Sequence, residues 1–244
     1  MKNRLLITLF LFLLGTSLQA QTVDQILEKY FENTGGLAKW KALKSQKVDG
    51  NMSMQGMDLP FTMTTKAPNK QRMDIQVQGM QIIQAYDGTE AWMLNPFAGG
   101  TDPVKIPAEE AKEMADRNLE DEFIDYKKKG HEVTLLGKEE VDGVSCYKIQ
   151  LIKNKANDKE DVTEIHYFDS ENYVPIMIVA YARSGPMKGM ESKTYVSDYQ
   201  EVDGLMIPFS MEVKAGGQSV QKLTFKKVTL NESVEDGIFA FPKK

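Results

Sequence analysis

Residues with catalytic or metal-binding chemistry are few in this chain. Its 244 residues include two histidines, His131 and His166, and one cysteine, Cys146. Two histidines cannot build a multi-histidine metal centre, and one cysteine cannot close an internal disulfide. No Ser/His/Asp arrangement, phosphate-binding glycine loop or paired-carboxylate motif stands out. We therefore predict no catalytic residue, no metal and no cofactor, unless distant residues assemble a site in the fold.

Methionine suggests a different chemistry, the binding of flexible apolar chains. Unbranched, polarizable side chains adapt to variable apolar partners, which suits a pocket for such chains. The alternative is that these side chains only fill a core. A cluster of methionines lies in the first half of the chain, and six of its members are Met52, Met54, Met63, Met73, Met80 and Met93.

The charge balance excludes one class of partner. Lys and Arg number 30 against 35 Asp and Glu, which gives a formal net charge of −5. Such a chain has no broad positive field for phosphate backbones, so nucleic acid is not an expected partner. The length is sufficient for a hydrophobic core without disulfides.

The first twenty residues have the pattern of a secretory signal peptide. Lys2 and Arg4 precede the apolar run 5–14, and small residues follow up to Ala20. About ten apolar residues fall short of the roughly 20 that a spanning helix needs. No cysteine follows the run, so lipid attachment is not expected. The sequence predicts cleavage after Ala20 and a periplasmic protein that is soluble and has no stable membrane span.

The rest of the chain, 21–244, is predicted to form one domain that is mainly β. Thr22 and Gln25 match a capping box at the start of a short amphipathic helix, which Gly35 ends. From Gln46 the apolar residues recur with period two, which is typical of half-buried strands. About five strands precede residue 107, and more follow from about residue 132. With few helices between them, about eleven strands must be mostly antiparallel.

The period-two pattern of apolar residues is interrupted at 107–123. Ala111, Ala115, Leu119 and Phe123 recur at four-residue spacing, while seven acids and two bases occupy 107–122. This pattern predicts an amphipathic helix with a thin apolar stripe and weak docking. The alternative is a solvated helix that packs permanently on the sheet.

One segment carries a family resemblance. Asp87-Gly88-Thr89-Glu90-Ala91-Trp92-Met93-Leu94-Asn95-Pro96-Phe97 is similar to the Asp-Gly-x-x-x-Trp-x-x-Asn-Pro-Phe strand of the LolA-like periplasmic lipoprotein carriers. A Lys66-Ala67-Pro68-Asn69 turn before it and a terminal Phe239-Ala240-Phe241-Pro242 also resemble that family. Strong identity is confined to 85–97, whereas the order of features agrees over the mature chain.

The resemblance implies an unclosed antiparallel β-barrel with a helical lid, whose hydrophobic cavity takes acyl chains of lipoproteins or other lipids toward the outer membrane. Transient partners at the inner and outer membranes are implied as well. The expected lid residues are Ala111, Ala115, Leu119 and Phe123. The expected cavity residues are Met52, Met54, Phe61, Met63, Met73, Ile75, Trp92, Leu94, Phe97, Ile207 and Phe209.

Some alternatives stay open at this point. The family's lid latch is an arginine at the position of Ala67, so Lys66 or Arg72 would have to replace it. Trp92 could anchor the core rather than line the cavity mouth. The fold also suits a lipid or lipoprotein sensor of the RseB type without a carrier role. An enzyme is a third hypothesis, which a dry polar cleft with perturbed carboxylates would favour.

Overall fold

The computed structural model describes residues 21–153, 162–183 and 188–243, so the predicted signal peptide lies outside the described residues. One antiparallel sheet of 13 strands contains every described strand, in the order β6-β5-β4-β3-β2-β1-β13-β12-β11-β10-β9-β8-β7. The predicted fold class is confirmed, with two more strands than the eleven expected. The strands are β1 Ser45–Met54, β2 Met57–Lys66, β3 Lys70–Val77, β4 Met80–Tyr86, β5 Ala91–Leu94, β6 Val104–Ile106, β7 Glu132–Val141, β8 Val144–Lys153, β9 Val162–Asp169, β10 Pro175–Tyr181, β11 Glu191–Val202, β12 Leu205–Ala215 and β13 Gln218–Leu230.

One long-range pairing joins the two halves of the sheet. All neighbouring strands are consecutive in sequence except β1 and β13, which pair antiparallel with Met52 opposite Leu223. Within the described residues, the edge strands β6 and β7 do not pair with each other, so the sheet is open. Meander connections of this kind need only short turns, which the Gly-containing dipeptides provide.

The two faces of the sheet have different coverings. Residues directly opposite each other on neighbouring strands point to the same face, and successive residues alternate. Met63 is opposite Met73, and both belong to the face that we call inner, on which the helices pack. Trp92 is opposite Ala85 on the other, outer face.

Three helices cover parts of the inner face. α1 (Val23–Asn33) begins with the predicted capping box and packs on β7–β9, while α2 (Leu37–Lys41) follows it. α3 (Ala108–Ala115) packs against Tyr86 and Ala91 of the opposite sheet edge. Among the described residues, no helix is long and apolar enough to cross a membrane.

The helix predicted over 107–123 is shorter in the structure, because α3 ends at Ala115. Asp116 is its C-cap, and Asp and Asn are poor helix formers that compete with the backbone for hydrogen bonds. Asn118 lies in the segment that follows. The apolar spacing of Leu119 and Phe123 continued the pattern, but their backbones are not helical.

The C-terminal segment 231–243 covers part of the outer face. The Trp92 indole nitrogen donates to the carbonyl of Phe239 at 2.8 Å, and Phe239 is fully buried. The ring of Phe241 meets Trp92 edge-on, with centroids 6.2 Å apart. The inner face holds the largest core cluster, formed by Leu43, Val48, Met52, Leu59, Phe61, Val77, Leu205, Ile207, Phe209, Phe225, Val228 and Leu230.

Candidate functional site

A non-helical segment crosses the inner face between α3 and β7. We call residues 116–123 the strap. At its first end the Leu119 amide donates to the Pro68 carbonyl at 3.0 Å. Just before the strap, the Gln71 side chain donates to the Met114 carbonyl at 2.6 Å. The first bond fastens the strap to the turn between β2 and β3, and the second fastens the end of α3 to β3.

Charged groups fasten the second end of the strap to β8 and β9. Lys153 is buried and its Nζ lies 2.9 Å from Glu122 Oε1 and 2.8 Å from Glu164 Oε1. The other oxygen of Glu164 is 3.0 Å from His166 Nε2. A buried lysine between two carboxylates is held firmly, since removing one partner would leave an uncompensated buried charge.

Asp121 ties the strap to α1. The Tyr30 hydroxyl donates to Asp121 Oδ2 at 2.7 Å, and the Phe123 amide donates to Oδ1 at 2.9 Å. The Phe123 ring meets His166 and Phe168 edge-on. The strap therefore has a polar side and an aromatic side, and both contact the inner face.

Burial perturbs the carboxylates of this region. It raises the pKa of Asp121 and of Glu122, and their hydrogen bonds and neighbouring cations only partly oppose it. Burial also raises the pKa of Glu164, but the hydrogen bond from His166 and the charge of Lys153 outweigh it and lower that pKa to about 2. Perturbed pKa values of this kind are typical of functional sites. Here each of the three carboxylates forms a hydrogen bond to a neighbouring element of the fold, so the network holds the strap in position.

A cavity of about 550 Å³ lies between the strap and the inner face. Its volume is in the range of small-molecule sites. One wall is apolar and another is the charged network around Lys153. The apolar lining consists of Trp40, Met63, Leu119, Phe123, Pro175, Ile178, Ala180 and Met211.

A second, more polar pocket of about 420 Å³ adjoins the cavity. The two share six lining residues, which are Arg117, Glu122, Lys153, Glu164, Ala180 and Thr194. The second pocket also contains Asp116 and Arg183, which form an ion pair. The combined groove is apolar toward Met63 and polar toward Arg183. Such an arrangement can hold a molecule with an apolar chain and a polar head. No group of His, Cys, Asp and Glu among the described residues could hold a metal ion.

The expected cavity residues divide into four sets in the structure. Met63 lines the cavity itself. Met52, Phe61, Ile207 and Phe209 are buried in the inner-face core, and Met54, Met73 and Ile75 are half-buried against it. Trp92 and Leu94 lie on the outer face instead, in a cluster with Ile83, Ala85 and Phe241. Phe97 is 47% exposed beyond the end of β5.

The expected lid residues are also divided. Ala111 and Ala115 belong to α3 and pack with Tyr86 at the sheet edge. Leu119 is half-buried above the inner face, and Phe123 is buried in the cluster with α1. Only these last two line the cavity, where the strap covers it.

Neither suggested substitute for the family's arginine latch touches the strap. Lys66 Nζ lies 2.6 Å from the Val234 carbonyl and pairs with Asp236. Arg72 pairs with Asp74 and donates to the Ile238 carbonyl at 2.7 Å. Both cations hold the C-terminal segment instead. The strap is fastened by Lys153 and by the backbone of Pro68.

Two residues of the site, Lys153 and His166, are not identified as site residues by the sequence. Lys153 begins the charged stretch 153–161, whose composition is typical of a loop, but it ends β8 and is buried. His166 lies in β9 and is buried beside Glu164. Glu164, His166 and Phe168 alternate along β9 and therefore share a face, but no sequence feature connects them to the strap. The rest of that charged stretch, 154–161, lies outside the described residues.

Comparison with known families now adds to this geometry. The model of a family described only as "uncharacterized protein" matches residues 70–241, which is most of the chain. The chain belongs to this family. Among curated proteins, none matches the sequence.

Solved structures resemble this family member in fold. A LolA superfamily protein from Nitrosomonas europaea is 15% identical with a TM-score of 0.57, and the match covers 91% of this chain and 98% of that chain. A DUF1329 family protein from Desulfovibrio piger is 13% identical with a TM-score of 0.59, covering 90% and 98%. A domain assigned to outer membrane lipoprotein sorting, from Vibrio parahaemolyticus, is 12% identical with a TM-score of 0.55, covering 88% and 94%. The resemblance to LolA-like proteins is confirmed at the level of the fold.

Proposed function

We propose that this protein is a periplasmic carrier that binds an acyl chain, from a lipoprotein or another lipid, in the cavity under the strap. The proposal rests on the cavity itself, whose apolar wall includes Met63, Met211 and Leu119. Half-buried methionine side chains can adapt to a flexible chain. The LolA-like fold of the neighbours supports the same reading.

The energetics suit a carrier. A buried methylene contributes about 0.8 kcal/mol, so a chain of fourteen carbons gains roughly 10 kcal/mol on leaving water. An acyl chain gains a similar free energy when it enters a bilayer, so the free energy of its transfer between membrane and cavity is close to zero. Small changes in how the strap packs can then decide between loading and release.

The two tryptophans provide a direct test. Trp40 lines the cavity, whereas Trp92 is buried on the outer face behind Phe239. We expect brominated palmitic acid to quench Trp40 fluorescence in the purified protein, because bromine quenches only at short range. The Trp92→Phe variant should keep this quenching, and Trp40→Phe should lose it.

The same experiment identifies failure. Quenching that persists in Trp40→Phe would put the chain elsewhere, and no quenching in any form would mean that no acyl chain binds. Mass spectrometry of a solvent extract from detergent-free native protein would name the bound molecule. Transfer between donor and acceptor vesicles then separates a carrier from a lipid sensor, which would bind without transferring.

A further inference from the structure

The strap buries more negative than positive charge against the sheet. Lys153 lies between Glu122 of the strap and Glu164 of β9, with its Nζ 2.9 Å and 2.8 Å from their Oε1 atoms. None of these three side chains is more than 21% exposed. Asp121 lies next to Glu122 and is bonded to the hydroxyl of the buried Tyr30. Three carboxylates thus share this region with one lysine, and an excess of charge is costly away from water.

The other charged groups around the strap do not offset this excess. Arg117 is exposed, and the lining residues from β10, β11 and β12 carry no charge. Further cations have carboxylates of their own, in the pairs Lys70 with Asp236, Lys129 with Glu120 and Arg183 with Asp116. The remaining titratable groups near the strap are Tyr30, His131, His166 and Tyr199.

Glu122 is the carboxylate that this cluster satisfies least. Both oxygens of Asp121 accept hydrogen bonds, and both oxygens of Glu164 have hydrogen-bond partners. Glu122 has one hydrogen bond to the described residues, from Lys153. Burial raises the pKa of Glu122, and Lys153 opposes this only in part. Because the pKa of Glu164 is about 2, Glu122 takes up a proton well before Glu164 as the pH falls.

The burial of Glu122 depends on the position of the strap. A strap that lifts to admit a ligand returns Glu122 to water, where its pKa has the ordinary value of 4.5. Lys153 and Glu164 belong to the sheet and stay paired. Glu122 also lines the polar pocket, through which water and protons can reach it. The state in which a group has the higher pKa binds more protons and is favoured as the pH falls, and here that is the closed state.

Two histidines near the strap can also take up protons. A proton on His166 is attracted by Asp121 and Glu164, so it favours the closed strap as well. Burial and the charges of Lys129 and Lys153 lower the pKa of His131, so a proton there acts against the closed state. Variants of single residues can separate these effects.

We propose that closing the strap over a bound acyl chain takes up a proton on Glu122, so that the protein holds its ligand more firmly as the pH falls. The inference rests on the proposed function, because the strap can retain only a ligand that lies in the cavity. A protonated Glu122 keeps its bond, since its carbonyl oxygen still accepts from Lys153. A strap fastened mainly by the charge of this ion pair would behave in the opposite way, because acid would weaken the pair.

The experiment measures the release of lysophosphatidylcholine with a brominated acyl chain, whose head group keeps the same charge between pH 7.5 and pH 4.5. Loaded protein is mixed with excess phosphatidylcholine vesicles, and the recovery of Trp40 fluorescence gives the release rate. We expect the wild-type rate to fall by at least about twofold from pH 7.5 to pH 4.5. Glu122→Gln should release slowly already at pH 7.5 and lose most of the pH dependence. Glu120→Gln removes a strap carboxylate that is 43% exposed, and this matched control should keep the dependence, as should His131→Gln.

Calorimetry of the same binding reaction at pH 5, in two buffers of different ionisation enthalpy, counts the protons that the protein takes up. We expect net uptake in the wild type and less in Glu122→Gln. The inference is overturned by release that is faster in acid, by a pH dependence that survives in Glu122→Gln, or by calorimetry without proton uptake in the wild type. Absence of quenching at every pH would refute the cavity and the inference together. Quenching with a release rate that does not change with pH would refute the proton-coupled strap alone.

Discussion

Lys153 has one positive charge and two carboxylate partners, Glu122 and Glu164, in a region with little access to solvent. His166 bonds the far oxygen of Glu164, so that oxygen also has a partner. The arrangement connects the strap with two strands through side chains that are all shielded from water. Its contribution should therefore depend on the ionisation of Glu164.

Glu164 gives a pH prediction. Its pKa is lowered from 4.5 to about 2, so its charge stabilises the folded state above pH 4.5 and this contribution disappears as the pH falls toward 2. We expect wild type to exceed Glu164→Gln in unfolding free energy by about 3 kcal/mol at pH 7, and by somewhat less than half of that at pH 3. Urea denaturation at several pH values measures the difference.

The control is Glu139→Gln, which removes an exposed carboxylate paired with Lys148. Exposed pairs contribute little, so this variant should follow the wild type at every pH. A difference for Glu164→Gln that is independent of pH would mean that its charge does not stabilise the fold.

Single residues also show which features of the structure the sequence predicts and which it does not. Alternation along β5 correctly separates Trp92 and Leu94 from Met93, but it does not say which set faces the helices. That choice depends on pairing with β4 and on Phe239, which is far away in sequence and covers Trp92. The sequence therefore predicts the strand but not its buried face.

At the scale of elements, the strap has two apolar side chains with different surroundings, Phe123 in the core and Leu119 over the cavity. Phe123 is 5% exposed and packs with α1, so it anchors the strap in the core. Leu119 is half-buried over the cavity and is bonded to the turn at Pro68 only through its backbone. We expect the two side chains to affect different properties.

Leu119→Asp should speed release of bound brominated palmitic acid by roughly tenfold, because a charge replaces part of the apolar wall. The same change should cost about 1 kcal/mol of stability, since Leu119 is only half-buried. Phe123→Ala should instead cost about 3–5 kcal/mol, because it opens a space in a packed core. Quenching kinetics and urea denaturation separate the two effects.

Leu37→Asp is the control, since Leu37 is an exposed apolar residue on α2 outside the cavity. It should change neither the release rate nor the stability appreciably. An unchanged release rate in Leu119→Asp would remove the strap from the binding mechanism.

The strap itself could not be predicted from sequence. Four-residue spacing favours a helix through Phe123. In the structure Leu119 packs against the inner-face core and Phe123 packs with α1. The helix ends at Ala115 because Asp116 caps it, and bonds to Pro68 and Lys153 then hold the strap in its non-helical path. The partners in those bonds lie in a turn before the strap and in a strand after it. A pattern within residues 107–123 therefore cannot reveal them.

At the scale of the molecule, the β1–β13 pairing joins two meanders into one sheet, and the cavity spans their junction. Met63 belongs to the first meander, while Ile178 and Met211 belong to the second. A ligand chain in the cavity would contact both halves, and the protein should be stabilised by binding. The size of the cavity then limits the ligand.

Chain length tests this limit. At about 30 Å³ for a group the size of a water molecule, the 550 Å³ cavity holds roughly 18 such groups, enough for one acyl chain. Each added methylene should lower Kd about fourfold while it fits, because its burial contributes about 0.8 kcal/mol. We therefore expect affinity for saturated fatty acids to rise with length and to level off at about 18 carbons. Titration of Trp40 quenching by competition with unbrominated acids measures the series, and a rise that continues well beyond this length would mean that the groove extends past the cavity.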